Sequence, residues 1–149
     1  MLSLEHFKML SPKAATFEMS TGGTPEITFQ EVADVAASLS NGCRCYVRYS
    51  FAGQSEYRGR LFSAMRKTLR EQLKLKVVPA YWRYQINAVI DTYSLGIYLT
   101  ASQKAHITKL NWWKRKNEND WRIVVAIIDE YDFEVRAAVR DWNEKNLCL

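Results

Sequence analysis

The stretch from Cys43 to Phe51 alternates with a period of two, and that pattern constrains the fold more than any other feature of the chain. Cys43, Cys45, Val47, Tyr49 and Phe51 fall on one side of an extended backbone, and Arg44, Tyr46, Arg48 and Ser50 on the other. Alternation of this kind predicts a half-buried strand. Ala52-Gly53-Gln54-Ser55 then reads as a turn, and Glu56 to Arg60 as a short strand that pairs back. Ile97 to Thr100 is also short and β-prone. Further on, His106, Thr108, Leu110 and Trp112 alternate with Ile107, Lys109, Asn111 and Trp113. A polar turn at Lys116 to Asp120 leads into the apolar stretch Trp121 to Ile128, which reads as a central strand. Residues 105–128 are thus expected to form a hairpin with an aromatic-rich face.

Between these segments the period changes to that of a helix. Thr28-Phe29-Gln30-Glu31 is a capping box, in which the threonine hydroxyl accepts from the N–H three residues on and Glu31 reaches back. The helix continues through Val32, Val35, Ala36 and Leu39 and is expected to stop at Asn41-Gly42. Phe62, Met65, Leu69 and Leu73 recur at helical spacing, with Arg66, Lys67 and Arg70 on the outer side. Val77-Val78-Pro79 interrupts that pattern, and Trp82, Ile86, Val89, Ile90 and Tyr93 form the next apolar stripe, closed by Leu95-Gly96. A final helix over 134–145 carries Val135, Val139 and Trp142 inward. The expectation is a single compact α+β domain over 1–149, with an antiparallel sheet packed against two or three helices and a partly irregular N-terminal segment over 1–27.

A chain of 149 residues, 48% apolar and 25% charged, can bury a core and is not of disordered composition. Its longest fully apolar run, Ile123 to Ile128, falls far short of the roughly 20 residues of a membrane span, so no transmembrane segment is expected. Glu5, His6 and Lys8 interrupt the first ten residues, leaving no apolar signal-peptide core. Export, if it occurs, is expected to follow another route. Cys43, Cys45 and Cys148 lack metal-type spacing and read as small buried apolar side chains rather than ligands or a disulfide. The net charge of +5 favours a polyanionic partner.

Several catalytic signatures are missing: no Gly-rich phosphate loop precedes a helix, no His-Glu-x-x-His occurs, and no Gly-x-Ser-x-Gly elbow. His6 and His106 are the only histidines. The densest chemistry lies in Asp129-Glu130-Tyr131-Asp132-Phe133-Glu134, four carboxylates and a phenol after an apolar run. Such carboxylates can hold a divalent cation or raise one another's pKa for acid–base work. They serve equally well as the cap and N-terminal charges of the final helix. A second candidate is basic and aromatic: Arg44, Arg48, Arg58 and Arg60 interleave with Tyr46 and Tyr57, and Trp112-Trp113-Lys114-Arg115-Lys116 ends a strand. Arg44, Arg48, Lys114 and Arg115 are the expected contributors to one polyanion-binding surface.

The Asp129-x-Tyr131-Asp132 spacing, followed by Phe133, resembles the signature of colicin M-like bacteriocins and of other bacterial polymorphic-toxin domains. Enzymes of that kind cut the lipid-linked peptidoglycan precursor lipid II between polyprenol and pyrophosphate and need Mg²⁺. The resemblance implies that Asp129 and Asp132 bind Mg²⁺ or act as acid and base, that Tyr131 orients, and that Arg136 pairs the pyrophosphate. The family's pattern continues to a His-Arg pair, whereas this chain has Phe133-Glu134-Val135-Arg136. His106 is the histidine that would substitute in space.

Three functions follow as expectations. The first is an antibacterial effector or toxin domain that hydrolyses a phosphate-containing substrate such as a lipid-linked precursor, with a cognate immunity protein as partner. The second is a ribonuclease or nucleic-acid-binding protein. The third is a phage- or plasmid-type inhibitor or immunity protein that acts by surface complementarity alone.

Overall fold

A computed structural model describes residues 1–11, 27–93, 109 and 113–147. Every regular element among them is helical: a 3-10 helix at Leu4–Leu10, then α1 (Phe29–Ser38), α2 (Asn41–Ser50), α3 (Tyr57–Gln72), α4 (Ala80–Tyr93) and α5 (Glu118–Leu147). No strand occurs among the described residues, so the expected α+β fold with an antiparallel sheet is corrected to an all-helical one. The strand expected at 97–100 and most of the first arm of the hairpin, His106 included, lie outside the described residues; Lys109 and Trp113, which are described, are helical, as are Lys114 to Lys116, so the expected strand end is corrected to helix.

The capping box forms as its residues dictate. Glu31 N–H donates to Thr28 Oγ1 at 3.2 Å and Thr28 N–H donates to Glu31 Oε2 at 2.9 Å, which starts α1. Leu39 ends it in extended backbone, and Asn41-Gly42 opens α2 rather than closing α1.

The alternation over 43–51 is compatible with a helix because α2 is buried around most of its girth. Gly42, Cys43, Cys45 and Val47 are buried and Tyr46, Tyr49 and Ser50 half-buried. At about 100° per residue these positions span roughly 200° of the helix, with Arg44 and Arg48 on the remainder. Both sides are packed, by α1 and the 3-10 helix on one hand and by the C-terminal part of α5 on the other. The short strand expected at 56–60 belongs instead to the first turns of α3.

The apolar run from Trp121 to Ile128 is likewise helical. Trp121, Val124, Ile128, Tyr131, Val135 and Val139 are buried at spacings of three and four residues, a continuous stripe along α5. The segment read as a polar turn starts the helix, with Glu118 and Asp120 in its first turn where carboxylates complement the positive end of the dipole.

The residues pack into two compact units, Met1–Arg58 with Glu130–Leu149, and Gly59–Asp129. In the first, Phe7, Met9 and Leu10 of the 3-10 helix share a core with Val32, Val35 and Ala36 of α1, Cys43 and Val47 of α2, and Val135 of α5. Asn143, itself buried, ties the N-terminus to α5 by accepting from Leu2 N–H at 2.8 Å and donating to Leu2 O at 2.9 Å. In the second, Leu61, Met65 and Leu69 of α3, Ile86, Val89 and Ile90 of α4, and Trp121, Val124 and Ile127 of α5 are buried. Full burial of each such aliphatic side chain stabilises the fold by about 1.5–3 kcal/mol.

Candidate functional site

The acidic segment 129–134 lies within α5, and helical geometry parts the side chains that an extended chain would align. Asp129 is exposed, whereas Tyr131 is buried with its ring against Gly42. Asp132 is half-buried and engaged on both oxygens: Tyr46 Oη donates to Oδ1 at 2.7 Å and Arg136 Nε donates to Oδ2 at 2.6 Å. That pairing raises the Arg136 pKa, chiefly through the hydrogen bond to Asp132. Glu134 accepts from Cys43 Sγ at 2.9 Å and from Ser40 Oγ at 3.3 Å. Burial, reinforced by the Glu134 carboxylate, pushes the Cys43 thiol up to about 12, so it is a neutral packing group rather than a nucleophile.

Among the described residues no group of three or more His, Cys, Asp or Glu side chains comes together to hold a metal ion. One oxygen of Asp132 already carries a guanidinium. What the segment builds is a polar latch between α2 and the C-terminal part of α5.

Arg44 and Arg48 lie on α2 in the first unit, Arg44 exposed and Arg48 with its guanidinium 5.4 Å from the Tyr57 ring centroid. Lys114 and Arg115 belong to the second unit. Lys114 Nζ stands 5.5 Å from the centroid of the buried Trp121 ring, while Arg115 is exposed.

A further group of cations lies on α3 and the turn after it. Ser63, Arg66, Lys67 and Arg70 sit at i, i+3, i+4 and i+7 on α3, one stripe turned away from buried Leu61, Met65 and Leu69. The helix then ends in a Schellman turn: Lys74 adopts φ 54°, Leu75 N–H donates to Arg70 O at 2.9 Å, and Lys74 N–H donates to Glu71 O at 3.4 Å. That reversal carries the chain back through Lys76, Val77 and Val78 to α4. Together with Arg83 these residues enclose a cleft of about 500 Å³.

Among the described residues, five cations, Arg66, Lys67, Arg70, Lys76 and Arg83, line this cleft, and no carboxylate does. Among the described residues none of the five is held in an ion pair. The Arg66 guanidinium lies 5.9 Å from the Phe62 ring centroid, which orients it without neutralising it. Val78 is buried and Val77 stands exposed. A cation near the negative end of a helix is favourable, which accounts for Arg70 and Lys76 at the end of α3. It does not account for Arg66 and Lys67, and Arg83 stands near the positive end of α4, whose first turn holds no acid.

The stripe on α3 was legible in the sequence as the outer face of a helix. Lys76 and Arg83 were not, because only the turn after Gln72 brings them to it. Comparison with protein-family models, with curated proteins and with solved structures returned no match.

Proposed function

We propose that this protein binds nucleic acid, seating backbone phosphates in the cleft between α3 and α4. The carrying observation is the convergence on one concavity of five cations that, among the described residues, have no ion-pair partner and no carboxylate beside them in its lining. A single phosphate monoester carries about −1.5 to −2 charge. Five cations match several consecutive phosphates better than one. A lipid surface is matched less well, since these cations face a concavity and, among the described residues that line it, Val77 is the one exposed apolar side chain. Among the described residues no helix is long and apolar enough to cross a membrane. The net charge of +5 adds long-range attraction. The reading is one of binding and assigns no reaction.

Fluorescence anisotropy with end-labelled RNA and DNA, titrated over a range of salt, tests it. Each phosphate that a variant no longer neutralises should flatten the slope of log K against log salt by roughly 0.7 on a single strand. Arg66→Ala, Arg70→Ala and Arg83→Ala should each weaken binding to all sequences alike and reduce the slope. Affinity and slope unchanged in the triple variant would overturn the assignment, as would the absence of binding at low salt.

A further inference from the structure

The second unit carries a further surface that neither the core nor the cleft uses. Tyr81 and Tyr84 on α4 are 40% and 49% exposed, and Trp113 lies against both. Trp113 meets Tyr84 edge to face, with centroids 4.5 Å apart at 67°, and Tyr81 at 6.1 Å and 53°. Tyr81 is also fixed at its hydroxyl, which donates to Asp120 Oδ2 at 2.5 Å and accepts from Gln85 Nε2 at 3.0 Å. Gln85 itself is fully buried. The aromatic surface is therefore held in place before any ligand arrives, which lowers the entropy cost of binding.

Cations are near it in sequence: Lys114 and Arg115 follow Trp113 directly, Lys114 lying over the buried Trp121 ring, and Arg83, between the two tyrosines in sequence, lines the cleft. Of the nearby carboxylates, Glu118 is paired with Arg122 at 2.7 Å, and Asp120 accepts from the Tyr81 hydroxyl, a bond that orients it without pairing it with a cation. Exposed rings beside unneutralised cations fit one chemistry above others: unpaired bases, whose π-faces stack while adjacent phosphates meet Arg and Lys. A duplex keeps its bases in a closed stack and offers this surface little.

We infer that Tyr81, Tyr84 and Trp113 form a stacking platform for unpaired bases of single-stranded nucleic acid whose phosphates run through the cleft that Arg83 of the same helix lines. The inference rests on the nucleic-acid reading and adds strand preference to it.

The test compares a labelled single-stranded oligonucleotide with a duplex of the same length at fixed salt, for the full chain and its variants. Wild type should favour the single strand. Tyr84→Ala should weaken single-strand binding by roughly 5- to 100-fold, while duplex affinity and the salt slope stay unchanged. Tyr84→Phe, which keeps the ring, should bind as wild type, and Tyr84→Leu, which keeps bulk without a π-face, should resemble alanine. Equal affinity for strand and duplex, or a Tyr84→Ala variant as tight as wild type, overturns the platform while leaving a salt-dependent cleft in place. No salt-dependent binding to either nucleic acid overturns both readings.

Discussion

Tyr131 lies on Gly42 so closely that a β-carbon built there would stand 2.6 Å from the Tyr131 Cε1 and nearer still to Cζ. Alanine normally stabilises a helix interior over glycine by about 0.5–1 kcal/mol. Here the clash reverses the sign, because the ring is buried and cannot swing away. Gly42→Ala is expected to destabilise the protein by about 1–3 kcal/mol, the range for overpacking. Adding Tyr131→Phe should recover little, since the ring carbons and not only the hydroxyl obstruct. Urea melts of the single and double variants check this, and a Gly42→Ala protein as stable as wild type would refute the packing account.

Cys43 links stability to pH. The native thiol, buried and beside Glu134, titrates at about 12 against an ordinary value of 9.0. Above pH 9 the unfolded chain releases that proton while the native state keeps it, so stability falls as pH rises from about 9 toward 12. Below pH 9 the contribution is constant. Cys43→Ser, which does not titrate in this range, should show a shallower decline. Parallel alkaline limbs for the two proteins would contradict the linkage.

Asp132 is expected to be a structural residue coupled to Tyr46. Asp132→Asn removes the carboxylate that both Tyr46 and Arg136 address, and should destabilise by about 1–2 kcal/mol, since the hydrogen bonds are charged but the arginine is largely exposed. A double-mutant cycle with Tyr46→Phe should return a coupling energy of about 0.5–1.5 kcal/mol. Additive losses would show that the phenol and carboxylate act independently.

Lys74 holds a left-handed backbone conformation that glycine adopts without strain. The conformation costs a side-chain-bearing residue about 1–2 kcal/mol, part of which glycine returns through greater freedom in the unfolded chain. Lys74→Gly should therefore raise the melting temperature by roughly 2–4 °C in a chain of this size. An unchanged or lower melting temperature would mean that the lysine side chain stabilises the turn in some other way.

Local chemistry was enough to place α1, α3 and α4. Thr28 and Glu31 satisfy each other's backbone donors within one turn, and the stripes of Met65 and Leu69 and of Ile86, Val89 and Ile90 have a period only a helix can bury. The cationic stripe Arg66, Lys67 and Arg70 is local in the same sense. Cys43 to Phe51 and Trp121 to Ile128 were ambiguous, because alternation over nine residues also suits a helix buried around roughly 200°, and a short apolar run suits either state. Their helical form was decided by partners distant in sequence: the 3-10 helix and Tyr131 around α2, and a buried stripe that continues from Ile128 through Tyr131 to Val139. That continuation turns Tyr131 inward, away from exposed Asp129 with which an extended chain would have aligned it, and sets Asp132 against Tyr46. The cleft follows the same division. Its α3 wall is written in local periodicity, but Lys76 and Arg83 reach it only because the chain reverses at Lys74, and like charges converge there through tertiary packing rather than any preference of their own.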